Sequence, residues 1–359
     1  MKVLSLFDGM ACWYEALQRA WIKIEQYYAS EIDKYAIQIA KKNHPDIIEI
    51  WDVQKVWYST HDYDNWWEYL IANWEIVWEW PIDLLIWGSP CQWFSVAGKM
   101  LNFNDPRSKL FFEYVRLLNE VKPKYFLLEN VKMKKEWQDI ISWYLWVQPI
   151  EINSSRVSAQ NRKRLYRTNI PRVIQPQDKW ILLKDILEGN VDEKYYYSEE
   201  RWNRILANKY EITKRLESVN QKCNTLITNW WGNHERKIKV VFNVNPSGRG
   251  INGNVYMWDK SPTLTINKGE WQKILQLPRG RNKWWEFDEK APTMSSSKWE
   301  HNNLLEQWMK IRKLTPIECE RLQTLPDNYT AWVSDAQRYK MLGNWWTVDV
   351  IAHIFRFIP

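Results

Sequence analysis

Glycine is scarce in this chain, at 11 residues in 359, when about 7% is usual for a globular protein. The G-x-G-x-x-G fingerprint is absent, which argues against a dinucleotide enzyme. The four cysteines, Cys12, Cys91, Cys223 and Cys319, are scattered without paired spacing, so neither a zinc site nor a disulfide framework is indicated. No run of about 18 uncharged apolar residues occurs. The opening MKVLSLFDGM has neither the charged nor the apolar region of a signal peptide. The expectation is a cytoplasmic, monomeric protein with no membrane partner and no metal.

Hydrophobic residues make up 45% of the chain, enough at this length to bury one large α/β domain and a smaller partner. The net charge of +7 is compatible with a polyanionic partner. Tryptophan is in excess, at 27 residues.

The first half alternates short apolar runs with amphipathic stretches, the rhythm of strands and crossover helices in a mostly parallel, doubly wound sheet. Candidate strands are KVLSLF, QYYASEI, IIEI, DLLIW and YFLLENV; helical spacing covers 14–20, 34–42, 108–121 and 135–145. In such a sheet ligands lie beyond the carboxyl ends of the strands. From about 171 to 307 the pattern breaks into polar sequence with short strand-like pieces. There a Lys-x-x-Thr-apolar unit recurs at 222–226, 260–264 and 290–294. Helix-like sequence returns near the end, with Thr315 as N-cap, Pro316 at the first helical position and Glu318 completing a capping box. This predicts one domain from 1–170 plus 308–359, and a second from 171–307.

The strand tips carry the chemistry. Phe7, Asp8 and Gly9 close the first run and Glu31 the second, where an acid can accept hydrogen bonds from ribose hydroxyls. Asp52 closes the third, and reads equally well as an adenine contact or as an N-cap. Pro90 and Cys91 follow DLLIW; a lone cysteine is more often a small buried hydrophobe, but this one sits at the functional edge. Glu129 ends an apolar strand, where desolvation can leave it holding a proton for a ring nitrogen. Arg162 and Arg164 alternate, so on a strand both would project from one face toward an anion or a base carbonyl.

In order and spacing these segments resemble the DNA cytosine C5 methyltransferase family. The likeness runs through LFDGM, ASEID, Asp52-Val53, GSPCQ, SKLFFEYVRLL, LLENV, SAQNRKRLY, LTPIECERLQTLPDNYT and LGNWWTVDVI, and omits about 171–307, as a target-recognition domain would. The resemblance implies an S-adenosylmethionine-dependent, Rossmann-like fold acting on double-stranded DNA, with S-adenosylhomocysteine as product. It implies that Cys91 attacks C6 of a flipped cytosine, that Glu129 protonates N3, that Arg164 holds O2 and that Arg162 supports the site. It also assigns Phe7, Asp8, Gly9, Glu31, Ile32, Asp52, Val53, Pro90, Leu110, Asn344 and Val348 to the cofactor pocket. One departure is systematic: Trp13, Trp51, Trp87, Trp93, Trp332 and Trp345 stand where family members usually carry glycine. An indole there adds bulk, strain and a donor needing a partner. One alternative to an active enzyme is therefore a catalytically impaired homologue that binds DNA or cofactor, with Trp13 in the cofactor loop or Trp93 beside the nucleophile as the obstacle. Another is a tRNA cytosine C5 methyltransferase, since that branch shares the nucleophile and the ENV motif, though its usual Cys-Phe-Thr is absent and the long second lobe favours DNA.

Overall fold

The computed structural model describes residues 1–62, 66–73, 75–78, 81–88, 109–198, 200–201 and 308–359, together with 216–217, 222–225, 237–242, 255–256, 273–276, 285–287 and 304–306. The chain divides into two compact units, one of Met1–Ile186, Lys222–His234 and Pro316–Pro359, the other of Leu187–Gln221 and Glu235–Thr315.

The first unit is built on β1 (Lys2–Leu6), β2 (Gln26–Ser30) and β3 (Ile48–Glu49), with α1 (Cys12–Arg19) and α2 (Lys34–Asn43) as crossovers. A small antiparallel sheet follows, of β4 (Val56–Asp62), β5 (Trp66–Ala72) and β6 (Glu75–Trp78). The chain then returns through β7 (Leu84–Gly88), α3 (Lys109–Val121), β8 (Tyr125–Val131) and α4 (Lys135–Leu145). Next come β9 (Ile150–Asn153), β10 (Gln160–Asn161) and β11 (Lys163–Thr168). The seven-stranded sheet runs β3-β2-β1-β7-β8-β11-β9. Its pairs are parallel from β3 to β8, and β11 runs antiparallel to both β8 and β9. The order reverses between β1 and β7, so the crevice beyond their carboxyl ends is the topological switch point.

Local sequence explains the crossovers. Asp33 caps α2 through the Tyr35 N–H at 3.0 Å, and Lys41 and Lys42 sit at its negative end. Helix α4 spans the predicted residues, and α1, α2 and α3 lie within one or two residues of theirs. Every residue of β7 is buried, as befits a central strand covered on both faces. On one face Leu4, Tyr28, Leu85, Leu128, Phe111 and Ile141 form the core under α3 and α4.

The closing helices α5 (Pro316–Leu322), α6 (Asp335–Asn344) and α7 (Val348–Phe355) belong to the same unit, α5 starting at the predicted proline. Helix α7 packs on α1, and Arg19 bridges them by an ion pair to Asp349 at 2.8 Å. The segment after 221 also returns here, because β13 (Cys223–Asn224) pairs with β10 and Lys222 Nζ donates to the Ser155 carbonyl at 2.7 Å. The first of the three repeated segments thus groups with the first unit; the other two lie outside the described residues.

The second unit holds β12 (Leu216–Glu217), β14 (Lys237–Phe242), β15 (Val255–Tyr256) and β19 (Trp308–Lys313) in one sheet. A second sheet contains β16 (Lys273–Gln276), β17 (Trp285–Phe287) and β18 (Leu304–Glu306).

Candidate active site

The turn from β1 into α1 needs three left-handed residues, Phe7 (φ 57°), Gly9 (φ 63°) and Ala11 (φ 61°). This throws Asp8 inward. Its Oδ1 accepts from Ser5 Oγ at 2.6 Å and from the Tyr27 hydroxyl, while Oδ2 has no hydrogen-bond partner among the described residues. Burial, opposed by those two donors and reinforced by the nearby Glu31 charge, pushes its pKa up to about 7. Glu31 accepts from the Gly9 N–H at 2.9 Å through one oxygen and from the Ile32 and Asp33 N–H groups at 2.8 Å through the other. Burial raises its pKa against those three bonds. Ile32 is 73% exposed, an apolar platform at the tip of β2.

Of the remaining residues assigned to a cofactor, Asp52 caps a short 3-10 turn over Val53–Lys55, with Oδ1 accepting from the Gln54 N–H at 3.0 Å. Val53 and Val348 are enclosed, and Leu110 and Asn344 are half-buried on α3 and at the end of α6. Pro90 and Cys91 lie outside the described residues, as does Trp93. The last described residue before them is Gly88, whose register partner on β8 is Glu129.

Glu129 is almost wholly buried, and its Oε1 stands 3.0 Å from Arg164 Nε. Burial pushes its pKa up, against the Arg164 and Arg162 charges and a hydrogen bond from Arg164, with a net rise. Arg162, in the one-residue gap between β10 and β11, and Arg164, on β11, are both buried. Asn153 Oδ1 accepts from the Arg162 N–H at 3.0 Å, and the Arg162 guanidinium donates to the Gly343 carbonyl at 3.2 Å. Arg167 donates to Asn130 Oδ1 and Ser142 Oγ, both at 3.2 Å, and to the Gln138 carbonyl at 2.9 Å, holding β8 to α4. Burial brings its pKa down to about 10.

Several supporting residues carried no signal in the sequence. The Tyr329 hydroxyl donates to the Met10 carbonyl at 2.8 Å and lies 3.2 Å from His44 Nε2, so a residue 319 positions away braces the β1 turn. Tyr27 braces it through Asp8.

The tryptophans at glycine-like positions fall into distinct environments. Trp51 has φ 60°, and Trp21, Trp146 and Trp180 share that left-handed conformation. Trp13 is not in a loop: α1 begins at Cys12, which puts Trp13 in its first turn, fully buried, with ring centroids 4.2 Å from Trp346 and 6.3 Å from Phe355. Trp87 is a buried residue of β7, stacked 5.6 Å from Phe111. Trp332 is half-exposed under the Lys42 ammonium, 4.4 Å from its ring. Trp345 and Trp346 lie at the switch point itself. A β-carbon on Gly9 would fall 1.8 Å from Cζ2 of Trp345, and one on Gly88 2.0 Å from Cη2 of Trp346.

An adenosine moiety fits what stands at the tip of β2, with Glu31 as acceptor and Ile32 as an apolar face. The space over Gly9 is filled by the Trp345 ring. Among the described residues no three His, Cys, Asp or Glu side chains converge as a metal site, and no helix is long and apolar enough to cross a membrane.

A family model described as C-5 cytosine-specific DNA methylase matches residues 1–139 and 153–359. The orphan methyltransferase M.SPRI of Bacillus phage SPR is 29% identical, with 99% of this chain and 97% of that protein covered. The type II methyltransferase M1.ScrFI of Lactococcus lactis subsp. cremoris is also 29% identical, covering 98% and 76%. Among solved structures, the Entamoeba histolytica methyltransferase EhMeth superposes with a TM-score of 0.58 at 17% identity, covering 100% and 97%. The Schizosaccharomyces pombe Dnmt2 methyltransferase gives 0.53 at 16%, covering 98% and 96%. Likeness at such identity is one of fold.

Proposed function

The chain belongs to the C-5 cytosine-specific DNA methylase family, and from that premise we propose that it methylates C5 of a cytosine turned out of double-stranded DNA, through a covalent bond between Cys91 and C6. The observation that carries this reading is the buried Glu129 carboxyl, ion-paired to Arg164 and in register with Gly88, three residues before Cys91. Family membership makes it a methyltransferase using S-adenosylmethionine, which when bound supplies an electrophilic methyl group.

C5 of cytosine is a weak nucleophile inside a duplex and out of reach, so a base to be methylated leaves the stack. The Cys91 thiolate adds to C6, and the electrons released across the ring are taken up as Glu129 delivers its proton to N3. C5 then has enamine character and takes the methyl group. Loss of the C5 proton and expulsion of the thiolate restore the aromatic ring and free Cys91. A carboxyl whose pKa is raised by burial is suited to the donor role, because it still holds a proton closer to neutrality. Arg164, held by Glu129, is the donor for O2, and Arg162 fixes the backbone beside it through Gly343. Glu31, Ile32, Phe7 and Gly9 are the residues that would hold the cofactor. The region of 171–307 is assigned the reading of the target sequence.

The test uses duplex DNA carrying 5-fluorocytosine. Fluorine cannot leave as a proton does, so an active chain with S-adenosylmethionine should form an adduct that survives denaturation, and Cys91→Ala should form none. Methylation of normal cytosine without an adduct on the fluorinated duplex, or transfer by Cys91→Ala, would overturn the covalent route.

A further inference from the structure

The switch point between β1 and β7 is closed by two indoles of one short segment, and they differ in freedom. Trp346 is 2% exposed, lies against Gly88 and packs on Trp13, so it is part of the core. Trp345 is half-buried, stands edge-on to Trp346 with centroids 4.8 Å apart, and rests on Gly9. Its backbone is pinned: the Trp345 N–H donates to the Met341 carbonyl at 3.1 Å, and its own carbonyl accepts from Gln323 Nε2 at 3.0 Å. Only rotation of the side chain can move this ring.

Gly9 has no β-carbon, takes φ 63°, and sits where a ligand of such a sheet approaches the main chain most closely. That approach is taken by Trp345. We infer that Trp345 is a built-in competitor that sets cofactor affinity: its indole and the end of the cofactor nearest Gly9 occupy the same space, and binding requires the ring to rotate off Gly9. Trp13, which the sequence singles out, is not the obstacle, because it faces Trp346 and Phe355 inside the fold. An occluded site lowers apparent affinity by the fraction of molecules in which it is open. Removing the ring therefore tightens binding without adding a contact.

This inference rests on the cofactor assignment of the proposed function, and its test reads binding rather than transfer. Titration calorimetry of the full chain with S-adenosylhomocysteine should show Trp345→Gly binding at least about tenfold more tightly than the parent, with Trp345→Ala close behind. Trp345→Phe, with a shorter ring, should fall between and serves if the smaller variants do not fold by circular dichroism. Trp21→Gly, on the exposed surface, should leave the dissociation constant unchanged. Equal or weaker affinity in every folded Trp345 variant, including the case in which none binds, overturns the competitor role. Tight binding by Trp345→Gly without a 5-fluorocytosine adduct would instead refute the catalytic reading and leave this inference intact.

Discussion

Oε1 of Glu129 lies 3.0 Å from Nε of Arg164, with both side chains nearly shielded from water. Each needs the other. A buried carboxylate beside a cation is tolerated, whereas either charge left alone in that setting is costly, about 3–5 kcal/mol when one partner of a buried pair is removed. Burial leaves the Glu129 pKa raised despite Arg164 and Arg162, which is the property the proposed proton-donor role requires.

Glu129→Gln should lower methyl transfer about 10²- to 10⁴-fold, the range that general acid catalysis supplies. S-adenosylhomocysteine affinity by calorimetry should change little, since Glu129 is not among the residues assigned to the cofactor. Transfer within threefold of the parent would remove Glu129 from the mechanism.

Arg164→Ala should cost stability in a pH-dependent way. Without its main cation Glu129 has a still higher pKa, so the folded variant holds a proton that the unfolded chain releases above the ordinary carboxylate range. Stability is then best at low pH and lost as pH rises through the raised value. Urea denaturation should show a larger deficit against the parent at pH 8 than at pH 5; an equal deficit at both would mean the pair is not electrostatically coupled.

Trp21 illustrates a strain that can be relieved. It follows α1 at the position where the Trp21 N–H bonds the Gln18 carbonyl at 3.0 Å and the Ile22 N–H bonds that of Leu17 at 3.1 Å, a helix end normally filled by glycine. Its φ is 61° and its side chain is 92% exposed, so nothing offsets the left-handed cost of about 1–2 kcal/mol. Trp146, which ends α4 (φ 56°, 84% exposed) with its ring 6.3 Å from that of Trp143, and Trp180, in a loop (φ 54°, 78% exposed), share the left-handed conformation. Each Trp→Gly change should stabilise by about 1 kcal/mol, read as a higher urea midpoint. A lower midpoint in all three would show that the indoles contribute contacts that outweigh the strain.

These positions also show what the sequence makes legible. The apolar runs at KVLSLF, DLLIW and YFLLENV mark β1, β7 and β8 because central strands covered on both faces must be continuously apolar, and the helix periodicity of 135–145 is realised without a shift. The carboxyl-edge rule then brings Asp8 and Glu31 just past the ends of β1 and β2, and Glu129 into the carboxyl-terminal half of β8. Long-range partners leave no local trace. The bond from Tyr329 to Met10, the antiparallel insertion of β11 between β8 and β9, and the return of Cys223 to β10 depend on residues far apart in the chain. The sheet of β4, β5 and β6 is not legible in the sequence, because its strands pair antiparallel with one another and stand outside the alternation of strand and crossover helix. Trp13 falls in α1 rather than in the loop because the helix starts earlier than its apolar spacing, the left-handed Ala11 turning the chain at once into α1.

Asp8 offers the clearest pH signature. Its folded pKa near 7, against an ordinary 3.8, means that the native state keeps a proton which the unfolded chain loses between about pH 4 and pH 7. Unfolding then releases that proton, so stability falls as pH rises through this window, by at most about 4 kcal/mol for three pKa units. Glu31, whose pKa is raised, and Glu49, raised to about 8, face the same group and act in the same direction. The parent slope is therefore shared, and the difference between variants is the decisive quantity. Asp8→Asn keeps an oxygen to accept from Ser5 and Tyr27 and cannot ionise. Its stability relative to the parent should climb between pH 4 and pH 7 and level off above. A difference that stays flat across that interval would mean Asp8 ionises in the folded protein as it does in water, and that solvent reaches the turn after β1.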